Sequence, residues 1–150
     1  MLKFSLQREV RREYQPTRVQ IGKWLRRSLQ HKFTTTIISI SIVDNQTSQE
    51  LNLNYRGIDK PTNVISLEYA ASREQFALLS GELILCDEVI ISEAQEQGKP
   101  ILAHYAHMII HGMLHLQGYD HLDEQEANHM EALEINLLQQ LGFANPYLEN

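Results

Sequence analysis

The sequence predicts an α+β fold in which a small mixed β-sheet packs against helices and a metal site is carried by the C-terminal helices. Three observations predict it. Apolar residues alternate at period two in several short runs of the first half, as half-buried strands require. Helical spacing of apolar residues dominates the second half. Six of the seven histidines fall between His104 and His129.

The elements follow in chain order. Leu2, Phe4 and Leu6 alternate with polar residues and predict a first strand. Val19, Ile21, Trp24, Leu25 and Leu29 form the stripe of a helix whose Arg and Lys residues lie mostly around it. Ile38, Ile40 and Ile42 alternate with Ser39 and Ser41, a strand of β-branched residues. Thr47-Ser-Gln-Glu50 reads as a capping box opening a helix that carries Leu51 and Tyr55. Asn63 to Tyr69 and Gly81 to Cys86 predict two more strands, joined by a loop rich in Ala, Ser and Gln. Asp87 can cap the next helix, which stops at Gly98, and Pro100 stands as the first residue of a helix ending near Leu116. Asp123 opens a last helix with Met130, Leu133, Leu137, Leu138 and Leu141 inward and Gly142 beyond its end. The predicted order is β-α-β-α-β-β-α-α-α.

With 150 residues and no repeat or Pro/Gly/Ser-rich linker, a single domain spanning 1–150 is expected. The single cysteine, Cys86, excludes an internal disulfide framework, fits a reducing cytoplasm and is read as core packing. No apolar run reaches the ~20 residues a membrane span needs, and the first residues lack the apolar segment of a signal peptide. A soluble cytoplasmic protein with no membrane partner is expected. The net charge of −6 hides a segregation: residues 1–32 hold nine basic side chains and two acids, whereas residues 33–150 hold four basic and seventeen acidic. An acidic total argues against a nucleic-acid partner, while a basic block of this size argues for one.

The most informative stretch is His111-Gly-Met-Leu-His115-Leu-Gln-Gly118-Tyr-Asp-His121. Histidines four apart on a helix put both imidazoles on one face, one turn apart. Gly118 lets the chain leave the helix, through positive φ if needed, and return with His121 as a third ligand. Three imidazoles leave one coordination position open, as in catalytic rather than closed structural zinc sites. His104 and His107 share nearly the same helix face, but without a loop-delivered approach they are read as supporting or packing residues. His31 and His129 are expected to face solvent. Asp120 can either orient a ligand imidazole or stabilise the turn.

The same spacing occurs in metzincin proteases, which place a general-base glutamate directly after the first histidine. Here that position is Gly112, so peptide hydrolysis by that route lacks its proton acceptor. A metal can still activate water or polarise a phosphoryl oxygen, and a phosphodiester substrate would then need a cation for its extra negative charge.

With these residues in view, the chain resembles the YbeY family of bacterial endoribonucleases over most of residues 37–147. The histidine segment is similar to that family's signature. So is Leu51-Asn-Leu-Asn-Tyr55-Arg56-Gly-Ile-Asp59-Lys60-Pro-Thr62-Asn63-Val-Ile-Ser66, and further matches are Gly81 to Cys86, Ala94 to Pro100 and Gly142 to Tyr147. The resemblance implies a metal-dependent, single-strand-specific RNA hydrolase acting on ribosomal RNA, notably in 16S rRNA 3′-end maturation, and in ribosome quality control. It implies one zinc ion per chain at His111, His115 and His121, a catalytic Arg56, and single-stranded RNA and the small ribosomal subunit as partners, without a nucleotide cofactor. A planar, always-charged guanidinium suits a phosphate, although a surface ion pair of Arg56 with Asp59 or another acid is the plainer reading of the residue alone. Glu82 and Leu67 stand where the family commonly has Asp and Phe, and residues 1–36 match it only loosely. The charge distribution nevertheless assigns RNA contacts to Arg26 and Arg27, with Lys60 beside the Arg56 segment. The alternatives are a metal-dependent hydrolase of another substrate and a non-catalytic, zinc-containing ribosome-assembly factor.

Overall fold

The computed structural model describes residues 1–30, 33–72 and 77–148, so His31 and most of the loop between the third and fourth strands lie outside the described residues. Nine elements follow in the expected order: β1 (Leu2–Arg8), α1 (Arg18–Ser28), β2 (Thr35–Val43), α2 (Asn45–Arg56), β3 (Val64–Ser72), β4 (Leu78–Cys86), α3 (Asp87–Gln97), α4 (Ile101–Leu116) and α5 (Glu124–Gln140). The sheet is mixed, in order β1-β2-β4-β3, with β1, β2 and β4 parallel and β3 antiparallel to β4 on the outer edge.

The caps correct the sequence reading of two helix starts. The cap of α2 is Asp44, whose carboxylate accepts from Thr47 N at 2.8 Å; the Thr47 hydroxyl donates instead to Glu9. Asp87 is not a cap but the first residue of α3. Its carboxylate is buried and accepts hydrogen bonds from Tyr14, Gln15 and Tyr105, which tie the segment after β1 to α3 and α4. Thr17 and Gln20 form a reciprocal capping box at α1. Strands β3 and β4 also run further than predicted, because Ala70, Ala71 and Ser72 continue the ladder beyond a register shift between Glu68 and Ala70. Small residues carry little strand preference of their own, and there the pairing with β4 supplies it.

The alternating isoleucines of β2, with Leu79, Leu83 and Leu85 of β4, face a main core completed by α1, α4 and α5. On the other face Val43, Ile65 and Ile84 form a smaller cluster with Leu51 of α2 and Leu67 of β3. Cys86 is buried and packs as expected. Among the described residues no helix is long and apolar enough to cross a membrane.

Helix α4 lies in the middle of the molecule and reaches β3 and β4 through glycine. A Cβ on Gly112 would stand 2.7 Å from Leu83 Cδ2 and 3.1 Å from Ser66 Oγ, and the Ser66 hydroxyl donates to Gly112 O at 3.3 Å. The contact places a strict limit on residue 112. The Gly112→Ala variant is expected to lose about 1–2 kcal/mol of stability, although alanine is the better helix former by about 1 kcal/mol. Urea unfolding measures it; an unchanged midpoint would mean that α4 rides away from the sheet without cost.

Candidate metal centre and cleft

His111 and His115 leave α4 one turn apart, with their Nε2 atoms 3.1 Å from each other and their rings nearly perpendicular. After Leu116 the chain turns at Gly118, whose φ of 97° is costly for any residue with a Cβ. Asp120 then accepts from the His121 backbone N–H at 2.7 Å, which stabilises the turn, and the same oxygen lies 3.8 Å from His121 Nδ1. The His121 ring comes back to 5.2 Å from that of His115 and 6.0 Å from that of His111. One ring nitrogen from each of the three lies within 4.8 Å of the others.

This arrangement fits a metal ion. Two nitrogens bound at 2.0–2.1 Å to one tetrahedral ion stand about 3.3 Å apart, close to the spacing of the His111 and His115 pair. His115 is held below the ordinary histidine range, by burial first and then by His111 and His121, which favours the neutral, ligating imidazole. His111 is prepared from its other side, where its Nδ1 meets the buried Glu134 carboxylate at 2.5 Å. A proton held on Nδ1 by that carboxylate leaves the Nε2 lone pair for an ion.

Glu134 is the functional residue that sequence reasoning missed. Its carboxylate also meets His107 Nε2 at 2.8 Å and accepts from the Tyr147 hydroxyl. Burial pushes this carboxyl up, but hydrogen bonds from His107 and His111 and the nearby imidazole charge outweigh burial and hold it at about 2. The signal was present: Met130, Glu134, Leu137 and Leu138 share the buried stripe of α5, so an acid occupied a core position. His104 pairs with Glu93 at 2.9 Å, and Glu93 also accepts from Asn63. His104 and His107 thus stand outside the triad, as expected. His129 is exposed, its ring edge on Tyr119.

The triad opens into a cleft of about 660 Å³ along the outer edge of β3, and Arg56 shares its lining. Arg56 is exposed, ends α2 and is followed by Gly57 in the left-handed conformation. It has no ion pair among the described residues, and Asp59 instead accepts from Gln49. Lys60, Arg26 and Arg27 are exposed but do not line the cleft. The end of α1 is nevertheless tied to the metal loop: Gln117 donates to Ser28 O at 3.0 Å and accepts from Gln30 N at 2.7 Å. Glu82 points to the opposite face of the sheet, where it accepts from Tyr69. Gly112 faces the sheet, so a glutamate there would meet Leu83 and Ser66, and the protease arrangement has no room in this packing.

The sequence profile of the endoribonuclease YbeY matches residues 5–142. The chain belongs to the YbeY endoribonuclease family. The match begins within β1, so it takes in most of the N-terminal segment, whose motifs resemble the family only loosely. A solution structure of a Thermotoga maritima protein shares the fold, with a TM-score of 0.58 and 19% identity over 93% of this chain and 89% of that one. Membership in YbeY implies endoribonuclease activity, with RNA as the substrate.

Replacing Glu134 by Gln is expected to weaken metal binding by roughly 10–100-fold, read by titration against a competing chelator. Unaltered affinity would reduce Glu134 to a packing role.

Proposed function

We propose that this protein is a zinc-dependent, single-strand-specific endoribonuclease that processes ribosomal RNA, notably the 3′ end of 16S rRNA, and takes part in ribosome quality control. The observation that carries the reading is one cleft lined by both the three-histidine cluster and Arg56, in a chain of the YbeY family.

His111, His115 and His121 would hold one zinc ion, with Glu134 fixing the tautomer of His111. Bound there, zinc supplies Lewis acidity toward a phosphodiester. Arg56 binds the non-bridging phosphate oxygens in bidentate fashion and offsets the charge that builds in the transition state. With no ion pair among the described residues, the guanidinium is available for this. Phosphate is turned away from the far side of the metal loop, where Asp123, Glu124 and Glu126 crowd the exposed first turn of α5. The strand therefore approaches from the Arg56 side, and Arg26, Arg27 and Lys60 add longer-range attraction at the small ribosomal subunit. The protein works in the cytoplasm, where that substrate is.

Metal analysis of the purified protein, coupled to cleavage of single-stranded RNA with and without chelator, tests the reading. Arg56→Ala is expected to lower kcat by roughly 10²–10³-fold while zinc content and melting temperature hold. His121→Ala should lose zinc and activity together. Cleavage that survives complete metal removal would sink the mechanism, and Arg56→Ala at full activity would remove the arginine from it. Neutralising Arg26 and Arg27 together should make the dependence of RNA affinity on salt shallower by about 1–2 in log–log slope. An unchanged slope would leave that face of α1 merely solvated.

A further inference from the structure

The α2 side of the sheet carries a second cavity of about 540 Å³, bounded by β1, β2, β4 and α2. Tyr55 walls both this cavity and the metal cleft, and it directly precedes Arg56. Its side chain is 58% exposed, and its hydroxyl has no hydrogen-bond partner among the described residues. Tyr69 lies within electrostatic reach of it, 62% exposed and anchored by its hydroxyl to Glu82.

The chemistry of the cavity excludes phosphate. Its floor is apolar, from Val43, Leu51 and Ile84, and its acids are Glu9 and Glu82. Its one cation among the described residues, Arg8, turns its guanidinium to Gln15 and to Pro16 O. The side chains of Gln7 and Ser41 have no hydrogen-bond partners among the described residues. A planar, uncharged group with a polar edge suits such a place: an aromatic wall stacks it, amide and hydroxyl groups meet its edge, and a carboxylate accepts from an exocyclic amine.

We infer that Tyr55 and the sheet-face cavity form a base subsite, in which an unpaired nucleobase stacks on Tyr55 and turns its edge toward Gln7, Ser41 and Glu82. The inference rests on the RNA reading above and deepens it. The phosphate next to that base stays on the Arg56 side, and the base crosses the edge strand β3. A paired base has its edge occupied and its faces stacked, so the subsite also gives a physical reason to prefer single strands.

Binding of the full chain to a short fluorescent single-stranded 2′-O-methyl oligoribonucleotide tests this by anisotropy. Tyr55→Ala is expected to raise Kd roughly 10-fold, while Tyr55→Phe, which keeps the ring, stays within about twofold of wild type. In an abasic scan of the strand, removing one particular base should cost wild type a similar factor and cost Tyr55→Ala nothing more. Wild-type affinity in Tyr55→Ala, or an abasic loss that appears in full in that variant, overturns the subsite and leaves the RNA reading standing. If the wild-type protein does not hold the strand at all, the RNA reading fails and the subsite with it.

Discussion

Helix α4 can lie on β3 and β4 only because it brings no side chain to the contact at Gly112, and β4 answers with Gly81, where a Cβ would stand 2.8 Å from Leu67 O and 2.9 Å from Leu116 Cδ2. Much follows from that close approach. His111 and His115 flank the contact on the helix surface, so the depth at which α4 settles sets their height above the outer edge of β3. Arg56, at the end of α2, lines the same cleft as the imidazoles. A helix held off by even one methyl group would carry two of the three clustered histidines away from the arginine. Interiors packed to crystal-like density do not absorb such a shift freely.

The second demand on the fold is electrostatic. Glu134 is a carboxylate inside the molecule with no Lys or Arg ion pair among the described residues; its partners are two imidazoles and a tyrosine hydroxyl. A buried charge is tolerated when its hydrogen-bonding capacity is filled, and three donors fill it here. The negative charge then faces the ligand set through His111. It would match a cation held beyond that ring. The cost of burying the acid is offset most fully when the site is loaded, which couples the packing of α5 to the state of the histidine cluster.

Much of this was legible in the sequence because the signals were local. Period-two isoleucines in β2, the stop at Gly98 and the histidine spacing before Gly118 each depend on a few neighbouring residues, and the structure realises each of them. The failures were cases where a distant partner decides. Thr47 looked like a cap until Glu9 took its hydroxyl and Asp44 took its place. Asp87 looked like a cap until Tyr14, Gln15 and Tyr105 enclosed it. Glu134 vanished into a count of acids, since a tally of charge cannot tell a solvated carboxylate from a buried one. Arg26 and Arg27 show another limit: a run of basic residues carries no direction, and the structure leaves both exposed on α1, outside the lining of the cleft.

That role of Gln117 has a consequence for the order of assembly. The residue between His115 and the turn at Gly118 is bonded to Ser28 and Gln30, almost ninety positions earlier in the chain. The loop that presents His121 is therefore completed by a contact of very high sequence separation, the kind that forms late because chain closure must come first. Small zinc modules fold around their ion, which stands in for a core they lack. Here an extensive apolar core already holds α1, α4 and the sheet together. An ion bound at the three histidines would therefore meet a chain whose core is already in place, and its binding would add to that stability rather than create it.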